Sequence, residues 1–260
     1  MLNILLFLDE QNSRINGKVI DFYKFKYKRH ELACITKPVM QHLFKKFLTL
    51  KLNECYELRC VCSNTLDDYD HPITSLIQRS DYNIGYIGRL EKPFFHTIID
   101  GLIEFCKANI TKSITIVFFG GAFEQKTIDT IKSLFERFKK VKVVITGYLF
   151  PLPLAALRKM DVFVSGAGSA SVAAKAGVLS IYIDMLSYCP SGIMLDYEDK
   201  KYVTCPFGST IYNYLDWILV RKGPNLPMPL EISYKEDWDF VCECLDDHLK
   251  FINHFSLAQE

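Results

Sequence analysis

Residues 80–184 alternate between continuous apolar runs and amphipathic segments, and this alternation restricts the chain to one class of fold. Tyr82 to Ile87 and Ser113 to Phe119 are apolar, β-rich runs, and apolar residues recur at helical spacing from Phe94 to Asn109 between them. Strands that are buried on both faces are apolar throughout, and helices join them and cover those faces. The sequence therefore predicts an α/β fold with a Rossmann-like, doubly wound parallel sheet.

The alternation continues towards the middle of the chain. The pattern predicts helices over 126–139, 152–159 and 169–176, and strands over 141–146, 161–165 and 179–184. Several of the predicted strands end in glycine, at the carboxyl edge where open α/β sheets bind ligands. We therefore expect the functional site at this edge.

Three segments are predicted along the chain. The Rossmann-like domain covers residues 80–224, a partial or reduced N-terminal α/β segment covers residues 1–79, and a C-terminal helix lies within residues 225–260. The N-terminal segment is predicted to contain strands at 2–8 and 57–62 with a helix at 36–50, and the terminal helix is predicted over 235–255.

Composition excludes several classes of function. A net charge of +1 on 260 residues gives no support to nucleic-acid binding, which requires a basic excess. Nine cysteines without an evident signal peptide favour a reduced, cytoplasmic compartment. The Cys60–Cys62 and Cys242–Cys244 pairs have one-residue spacers, shorter than structural zinc sites use, so no metal site is expected.

A loop rich in glycine and serine follows the strand predicted at 161–165. Gly166 and Gly168 allow a ligand to approach the backbone closely, and the N-terminus of the next helix offers unpaired N–H groups with partial positive charge. This pattern is typical of a phosphate site. Two alternatives stay open: a tight turn without ligand, and a dinucleotide fingerprint of an NAD enzyme in which Ser171 replaces the third glycine and Asp184 ends the next strand.

Arg89 and Lys92 follow the strand at 82–87 and so are expected at the same carboxyl edge as the Gly166 loop. A guanidinium binds two phosphate oxygens as a fork, whereas an ammonium acts as a point charge. The two cations are therefore candidates for holding a diphosphate from the side opposite the loop.

The ordered segments YIGRLEK, IVFFGG, VITGYL and SGAGSASVAAKAGVLSI resemble the donor-binding, C-terminal half of GT-B fold glycosyltransferases, over roughly Asn83 to Asp184. The resemblance implies a nucleotide-sugar-binding domain at 80–224 and transfer of a sugar from a nucleotide diphosphate-sugar to a glycan or lipid-linked acceptor. It implies no cofactor and no metal. A non-catalytic nucleotide-binding or interaction module with a degenerate donor site is the alternative.

The resemblance also implies roles for particular residues. Arg89 and Lys92 would neutralise the diphosphate, and the loop would receive it. The loop residues concerned are Gly166, Gly168 and Ser169. The turn after the third strand would lie against the nucleobase, with Gly120 on the same rim. The turn residues are Gly147, Tyr148 and Leu149.

Two departures from the family pattern bear on this interpretation. The family's ribose-binding glutamate, in the helix after the loop, has its place taken by Val172. Residues 1–79 are too few for a full acceptor half, which leaves three alternatives: part of a longer enzyme, a separate acceptor-domain chain or homo-oligomer, or a reduced domain. No catalytic residue is identified, because the base of these enzymes often comes from the acceptor half.

Aromatic and basic residues interleave from Lys18 to His30. Two interpretations stay open for this segment: peripheral contact with a membrane surface or lipid-linked acceptor, or a solvated segment whose aromatic residues cover the core. The aromatic residues concerned are Phe22, Phe25 and Tyr27.

Overall fold

The computed structural model describes residues 5–7, 17–29, 32–34, 65–166, 168–184, 187–196 and 201–223, with seven positions between 239 and 250. The chain divides into two compact units, one of Met1–Cys62 with Lys235–Glu260 and the other of Ser63–Tyr234. Each unit is described separately below, and the segment boundaries at residues 79 and 224 stay a prediction.

Between residues 5 and 34, the described part of the first unit is a small β–α–β arrangement. Strand β1 (Leu5–Phe7) pairs in parallel with β2 (Leu32–Cys34), and helix α1 (Gly17–Lys28) connects them. The predicted strand at 2–8 contains β1. The helix predicted at 36–50 and the strand predicted at 57–62 lie outside the described residues, as does most of the helix predicted at 235–255.

Helix α1 corrects one of the two interpretations of the basic aromatic segment. Phe22 is 48% exposed and Phe25 is 53% exposed, so these rings do not cover a core. The Lys26 ammonium lies 5.9 Å from the Phe22 ring centre, and the Arg29 guanidinium lies 5.4 Å from the Phe25 ring centre. Both rings therefore lie at the surface beside cations.

The second unit is built around a seven-stranded sheet. The strands of the unit, in chain order, are β3 (Leu66–Asp67), β4 (Tyr82–Ile87), β5 (Ile114–Phe119), β6 (Val141–Ile145), β7 (Leu152–Pro153), β8 (Val162–Gly166), β9 (Ser180–Ile183), β10 (Pro190–Asp196) and β11 (Lys201–Val203). The large sheet has the order β11-β10-β9-β8-β4-β5-β6, while β3 and β7 form a separate parallel pair. Strands β4, β5, β6, β8 and β9 run parallel to one another, and β10 pairs antiparallel with both β9 and β11.

Helices cover both faces of this sheet. They are α2 (Pro72–Leu76), α3 (Phe95–Ala108), α4 (Gln125–Phe135), α5 (Leu154–Leu157), α6 (Gly168–Lys175) and α7 (Ile211–Leu215), with a π-helical turn over Asp216–Val220. On β5, Ile116 and Phe118 pack with α3 and α4, whereas Val117 and Phe119 pack with α5 and α6. Because successive side chains of a strand point to opposite faces, an apolar run is buried on both sides. The predicted α/β fold with a mostly parallel sheet is confirmed.

Buried polar groups fix β4 beside β8 at the edge where these strands begin. The Asp161 carboxylate accepts a hydrogen bond from the Asn83 N–H at 2.7 Å, and the Asp161 N–H donates to the Asn83 carbonyl at 2.8 Å. The buried Asn83 amide also donates to the Lys159 carbonyl at 2.9 Å. These bonds hold two strands together that are nearly 80 residues apart in the chain.

The predicted strands and helices between 80 and 184 are present, with two adjusted helices. The helix predicted over 126–139 ends at Phe135. The helix predicted over 152–159 covers only Leu154–Leu157, since Leu152 and Pro153 instead form β7, which pairs with β3. Within the described residues, no helix is both long and apolar enough to cross a membrane.

Candidate nucleotide-binding edge

The strand order reverses between β4 and β8, and the predicted diphosphate-binding residues follow these two strands. From β4 the chain proceeds outward through β5 to β6, whereas β8 and β9 lie on the other side of β4. In open α/β sheets the crevice at such a switch point, at the carboxyl ends of the strands, is the usual ligand site. Arg89 and Lys92 follow β4, and the Gly166 loop follows β8.

The two strands separate at their carboxyl ends. They pair directly at Ile84 with Val162 and at Gly85 with Phe163. Two residues further on, the Ile87 N–H donates instead to the hydroxyl of the buried Ser165 at 3.0 Å. A side chain thus replaces a backbone partner, and the crevice opens from this point.

Hydrogen bonds from neighbouring strands hold the turn after β4. The Gly88 N–H donates to the Phe119 carbonyl at 3.1 Å, and the Tyr86 hydroxyl donates to the Arg89 carbonyl at 2.8 Å. Tyr86 is 1% exposed, and burial raises the pKa of its phenol, so the hydroxyl keeps its proton. The backbone of the turn is therefore fixed, while the Arg89 side chain is exposed to solvent.

Gly120 is required by the close approach of this turn to the end of β5. A Cβ at Gly120 would lie 1.9 Å from the Gly88 carbonyl oxygen, far inside contact distance. Gly120 therefore lies directly against the Arg89 turn. Its place on a nucleobase rim stays a prediction.

The Phe94 ring lies close to both Lys92 and the Gly166 loop. The Lys92 ammonium lies 5.5 Å from the centre of this ring. A Cβ at Gly166 would lie 3.0 Å from Phe94 Cζ and 3.0 Å from the Ile183 carbonyl oxygen, so the backbone there packs directly on the ring. The structure thus brings Lys92 and Gly166 to the same edge of the sheet.

Helix α6 begins at Gly168, directly after the loop. The Ser169 side chain is only 3% exposed, and the Ser171 hydroxyl donates to the Gly168 carbonyl at 2.7 Å. The serine side chains around the loop therefore lie within the protein. A role for Gly168 and Ser169 in diphosphate binding stays a prediction that depends on their backbone groups.

The turn after β6 forms the other end of the edge. The Thr146 hydroxyl donates to the Gly147 carbonyl at 2.7 Å. The Tyr148 ring is 58% exposed and lies 3.2 Å from where a Cβ on Gly121 would be, and Leu149 is partly buried beside it. The three predicted base-binding residues therefore form an accessible turn with one exposed aromatic ring.

Glu91 is a residue at this edge to which sequence reasoning assigns no role. Its carboxylate accepts a hydrogen bond from the Phe123 N–H, 32 residues away on the β5–α4 loop. Partial burial raises the pKa of the Tyr148 phenol, the Glu91 carboxylate raises it further, and the Arg89 guanidinium lowers it. Nothing in the spacing of the sequence indicates this position, because it depends on how two loops fold against each other.

Val172 packs in the protein core. It is 5% exposed and belongs to the same apolar cluster as Ile87 and Phe119. A glutamate introduced at this position would therefore bury a carboxylate, at a large free-energy cost. Replacement of Val172 consequently gives no clean test of ribose binding.

An open groove of about 610 Å³ lies between α3 and α4, next to the same turn. Its floor is apolar and includes Phe95 and Ile99, and Glu91 and Lys92 lie at its end.

Across the described residues, no group of three His, Cys, Asp or Glu side chains is placed to hold a metal ion. His71 caps helix α2, since its Nδ1 accepts the Ile73 N–H at 3.2 Å.

Comparisons with known proteins identify relatives by structure only. A scan against protein-family models and a search of curated proteins each found no match. Among solved structures, a glycosyltransferase from Rickettsia africae ESF-5 is similar with a TM-score of 0.58 and 11% identity, covering 96% of this chain and 70% of that one.

Two further structures contain bound nucleotide. A point mutant of S. aureus TarM in complex with fondaparinux, alpha-GlcNAc-glycerol and UDP has a TM-score of 0.54 and 14% identity, covering 95% of this chain. The pneumococcal O-GlcNAc transferase GtfA in complex with UDP and GlcNAc has a TM-score of 0.50 and 13% identity, covering 90% of this chain. The chain spans about half the length of these two proteins, 50% and 48% respectively. The predicted resemblance is confirmed at the level of the fold, and this chain has the fold of GT-B glycosyltransferases.

Proposed function

We propose that this chain binds a nucleotide diphosphate-sugar at the carboxyl edge of its sheet and takes part in transferring the sugar to a glycan or lipid-linked acceptor. The observation that carries the proposal is the switch point between β4 and β8, which has Arg89 and Lys92 on one side and the Gly166 loop on the other. The nucleotide complexes of proteins with this fold support it, since TarM and GtfA were both solved with UDP.

The proposed mechanism is electrostatic. Negative charge accumulates on the diphosphate as the glycosidic bond breaks, and groups placed where that charge develops lower the barrier. The Arg89 guanidinium would bind two phosphate oxygens, the Lys92 ammonium would add a point charge, and backbone N–H groups at the start of α6 would complete the site. Because the Arg89 turn is held by its neighbours, little backbone order would be lost on binding.

The nucleobase would lie against the turn at Gly147, Tyr148 and Leu149. The exposed Tyr148 ring offers an apolar face for stacking, and the backbone groups of the turn offer partners for the base edge. The rim glycine Gly120 would act indirectly, because it allows the Arg89 turn to approach β5.

An acceptor half is proposed to complete the site. The chain spans about half the length of TarM and GtfA, and the acceptor domain would come from further residues of a longer enzyme, from a separate polypeptide or from a homo-oligomer. Peripheral membrane contact is part of the proposal as well. It is supported by Phe22 and Phe25, which are exposed on α1 beside Lys26 and Arg29.

One observation favours a second candidate function, a non-catalytic nucleotide-binding module. The position of the family's ribose-binding glutamate is occupied by the buried Val172. The two functions differ in a single measurement, the release of free nucleoside diphosphate from UDP-sugars and GDP-sugars in the presence of acceptor. A module would bind nucleotide without releasing product.

The proposal is tested by calorimetric titration with UDP, GDP, CMP and NAD. We expect a nucleoside diphosphate to bind, and Arg89→Ala to weaken it about tenfold or more, because a charge-assisted bond contributes about 1.5–3 kcal/mol. Arg89→Lys should recover only part of the loss. Arg137→Ala is the matched control, an exposed arginine beside the Phe138 ring after α4. Unchanged nucleotide affinity in both Arg89 variants would refute the proposal.

A further inference from the structure

The strand order predicts where the ribose of a bound nucleotide would lie. In the proposed site the base contacts the turn after β6, and the diphosphate lies between the turns after β4 and β8. Strand β5 lies between β4 and β6, which are therefore two strand spacings apart, about 10 Å. Since the ribose joins the base to the diphosphate, it would lie over the ends of β4 and β5.

Glu91 has its carboxylate at this place. Its backbone belongs to the loop after β4, and its side chain accepts the Phe123 N–H of the loop after β5. The carboxylate therefore lies between the loops that follow these two strands. Glu91 raises the pKa of the Tyr148 phenol, whereas Arg89 lowers it. The Glu91 carboxylate therefore lies near both the turn after β6 and Arg89. Glu91 is also exposed, so a ligand can reach it.

The chemistry of a carboxylate suits the two ribose hydroxyls. An ionised carboxylate has about four acceptor positions and no donor, and its hydrogen bonds to hydroxyls are stronger than neutral ones. The Phe123 N–H uses one position and orients the group, which leaves acceptor positions for a ligand. Val172 in the core cannot accept a hydrogen bond.

We propose that Glu91 binds the ribose hydroxyls of the donor nucleotide, in place of the glutamate that position 172 lacks. This inference rests on the proposed function, because it assumes that a nucleotide binds at this edge. It makes Glu91 a specificity-determining residue that distinguishes ribonucleotides from deoxyribonucleotides.

Glu124 is another carboxylate beside the Phe123 loop and serves as the matched control. It is exposed, it immediately precedes α4 on the same loop as Phe123, and its side chain makes no capping hydrogen bond with the helix. It lines the groove between α3 and α4, as Glu91 does, whereas the carboxylate that raises the pKa of the Tyr148 phenol is that of Glu91. Glu91→Ala and Glu124→Ala therefore each remove one negative charge from this region.

The test compares the affinity for UDP with that for 2′-deoxy-UDP, and GDP with 2′-deoxy-GDP, by titration calorimetry. We expect the parent to bind the ribonucleotide about tenfold more tightly, the effect of one hydrogen bond to a charged group. Glu91→Ala should reduce this ratio to about one to two, and Glu124→Ala should leave it unchanged. Glu91→Gln retains an acceptor for Phe123 and should give an intermediate ratio.

Each result has a distinct meaning. If no nucleotide binds the parent, the proposed function fails and the inference fails with it. If the parent binds both sugars equally, or if Glu91→Ala and Glu91→Gln keep the parent's ratio, the role of Glu91 is refuted while the proposed function stands. A purely structural role, such as holding the Phe123 loop, would weaken both ligands equally and leave the ratio unchanged.

Discussion

Gly120→Ala is expected to destabilise the protein more than any other single-methyl addition at the candidate site. The new Cβ would lie 1.9 Å from the Gly88 carbonyl oxygen and 2.8 Å from the Gly88 carbonyl carbon. Both are backbone atoms of a hydrogen-bonded turn, so neither can move aside by changing a rotamer. The turn after β4 must therefore separate from β5, or the end of β5 must distort.

The magnitude follows from the overpacking of a rigid site. Added methyl groups in well-packed regions cost about 1–3 kcal/mol, and a backbone clash belongs at the upper end of that range. For a unit of this size, about 3 kcal/mol corresponds to a fall in Tm of roughly 6–12 °C. The same displacement carries Arg89 away from its position, so nucleotide affinity should fall as well.

Gly147→Ala is the matched control for this experiment. Gly147 has a φ of 74°, and a Cβ there would have no atom within 4 Å, so alanine adds backbone strain without a clash. The strain amounts to about 1–2 kcal/mol. Urea denaturation of both variants measures the difference. If Gly120→Ala is no less stable than Gly147→Ala, the close packing of the Arg89 turn on β5 is wrong.

Two further predictions concern pH and membranes. The Ser113 backbone N–H and the Ser113 hydroxyl both donate to the Asp81 carboxylate, and these hydrogen bonds lower its pKa from the ordinary 3.8, the backbone bond most. The resulting stabilisation is complete above that value and is lost as the pH falls below it. Asp81→Ala should therefore destabilise the protein at about pH 7, with a difference from the parent that shrinks towards about pH 3. A difference independent of pH would contradict the assignment. On α1, the double substitution Phe22→Ser and Phe25→Ser should reduce co-sedimentation with phosphatidylglycerol-containing vesicles about tenfold or more at low salt. Equal sedimentation of parent and variant, or equal binding to neutral phosphatidylcholine vesicles, would exclude α1 as an anionic-membrane surface.

The central sheet could be predicted from the sequence because its strands are apolar on both faces. Ile114 to Phe119 is a run with no polar residue except Thr115, and all six residues are buried in the structure. The antiparallel extension was not predicted. Pro190 and Gly192 interrupt the β10 pattern, and the reversal depends on the turn before it, where the Asp184 N–H donates to the Cys189 carbonyl at 2.9 Å.

Helix α1 was not predicted because its pattern has the wrong period. Lys24, Lys26 and Lys28 alternate with Phe25 and Tyr27, which is the period of a strand. Such alternation on a helix distributes apolar rings around the whole circumference, and some of them must face solvent. The exposure of Phe25 is the result.

The candidate site was predictable in part because local and non-local features contribute differently. Arg89 and the Gly166 loop are read from strands that end in glycine, which is a local pattern. Glu91 and Tyr86 depend on contacts between segments, with Phe123 in one case and with the folded turn in the other. Sequence patterns indicate the charges that a site offers, whereas the groups that hold them in place follow only from the packed structure.

The supporting contacts determine how the site would use binding energy. The Arg89 carbonyl is held by the buried Tyr86 hydroxyl, and the next N–H, that of Leu90, donates to the Gly121 carbonyl at 3.0 Å. The turn is thus bonded on both sides of the Arg89 side chain. Binding of a diphosphate would then restrict only the rotamers of that side chain, which costs about 0.5–1.5 kcal/mol. A charge-assisted bond contributes about 1.5–3 kcal/mol, so most of its free energy would still favour binding. A flexible turn would lose more conformational entropy on binding, and the net gain would be smaller.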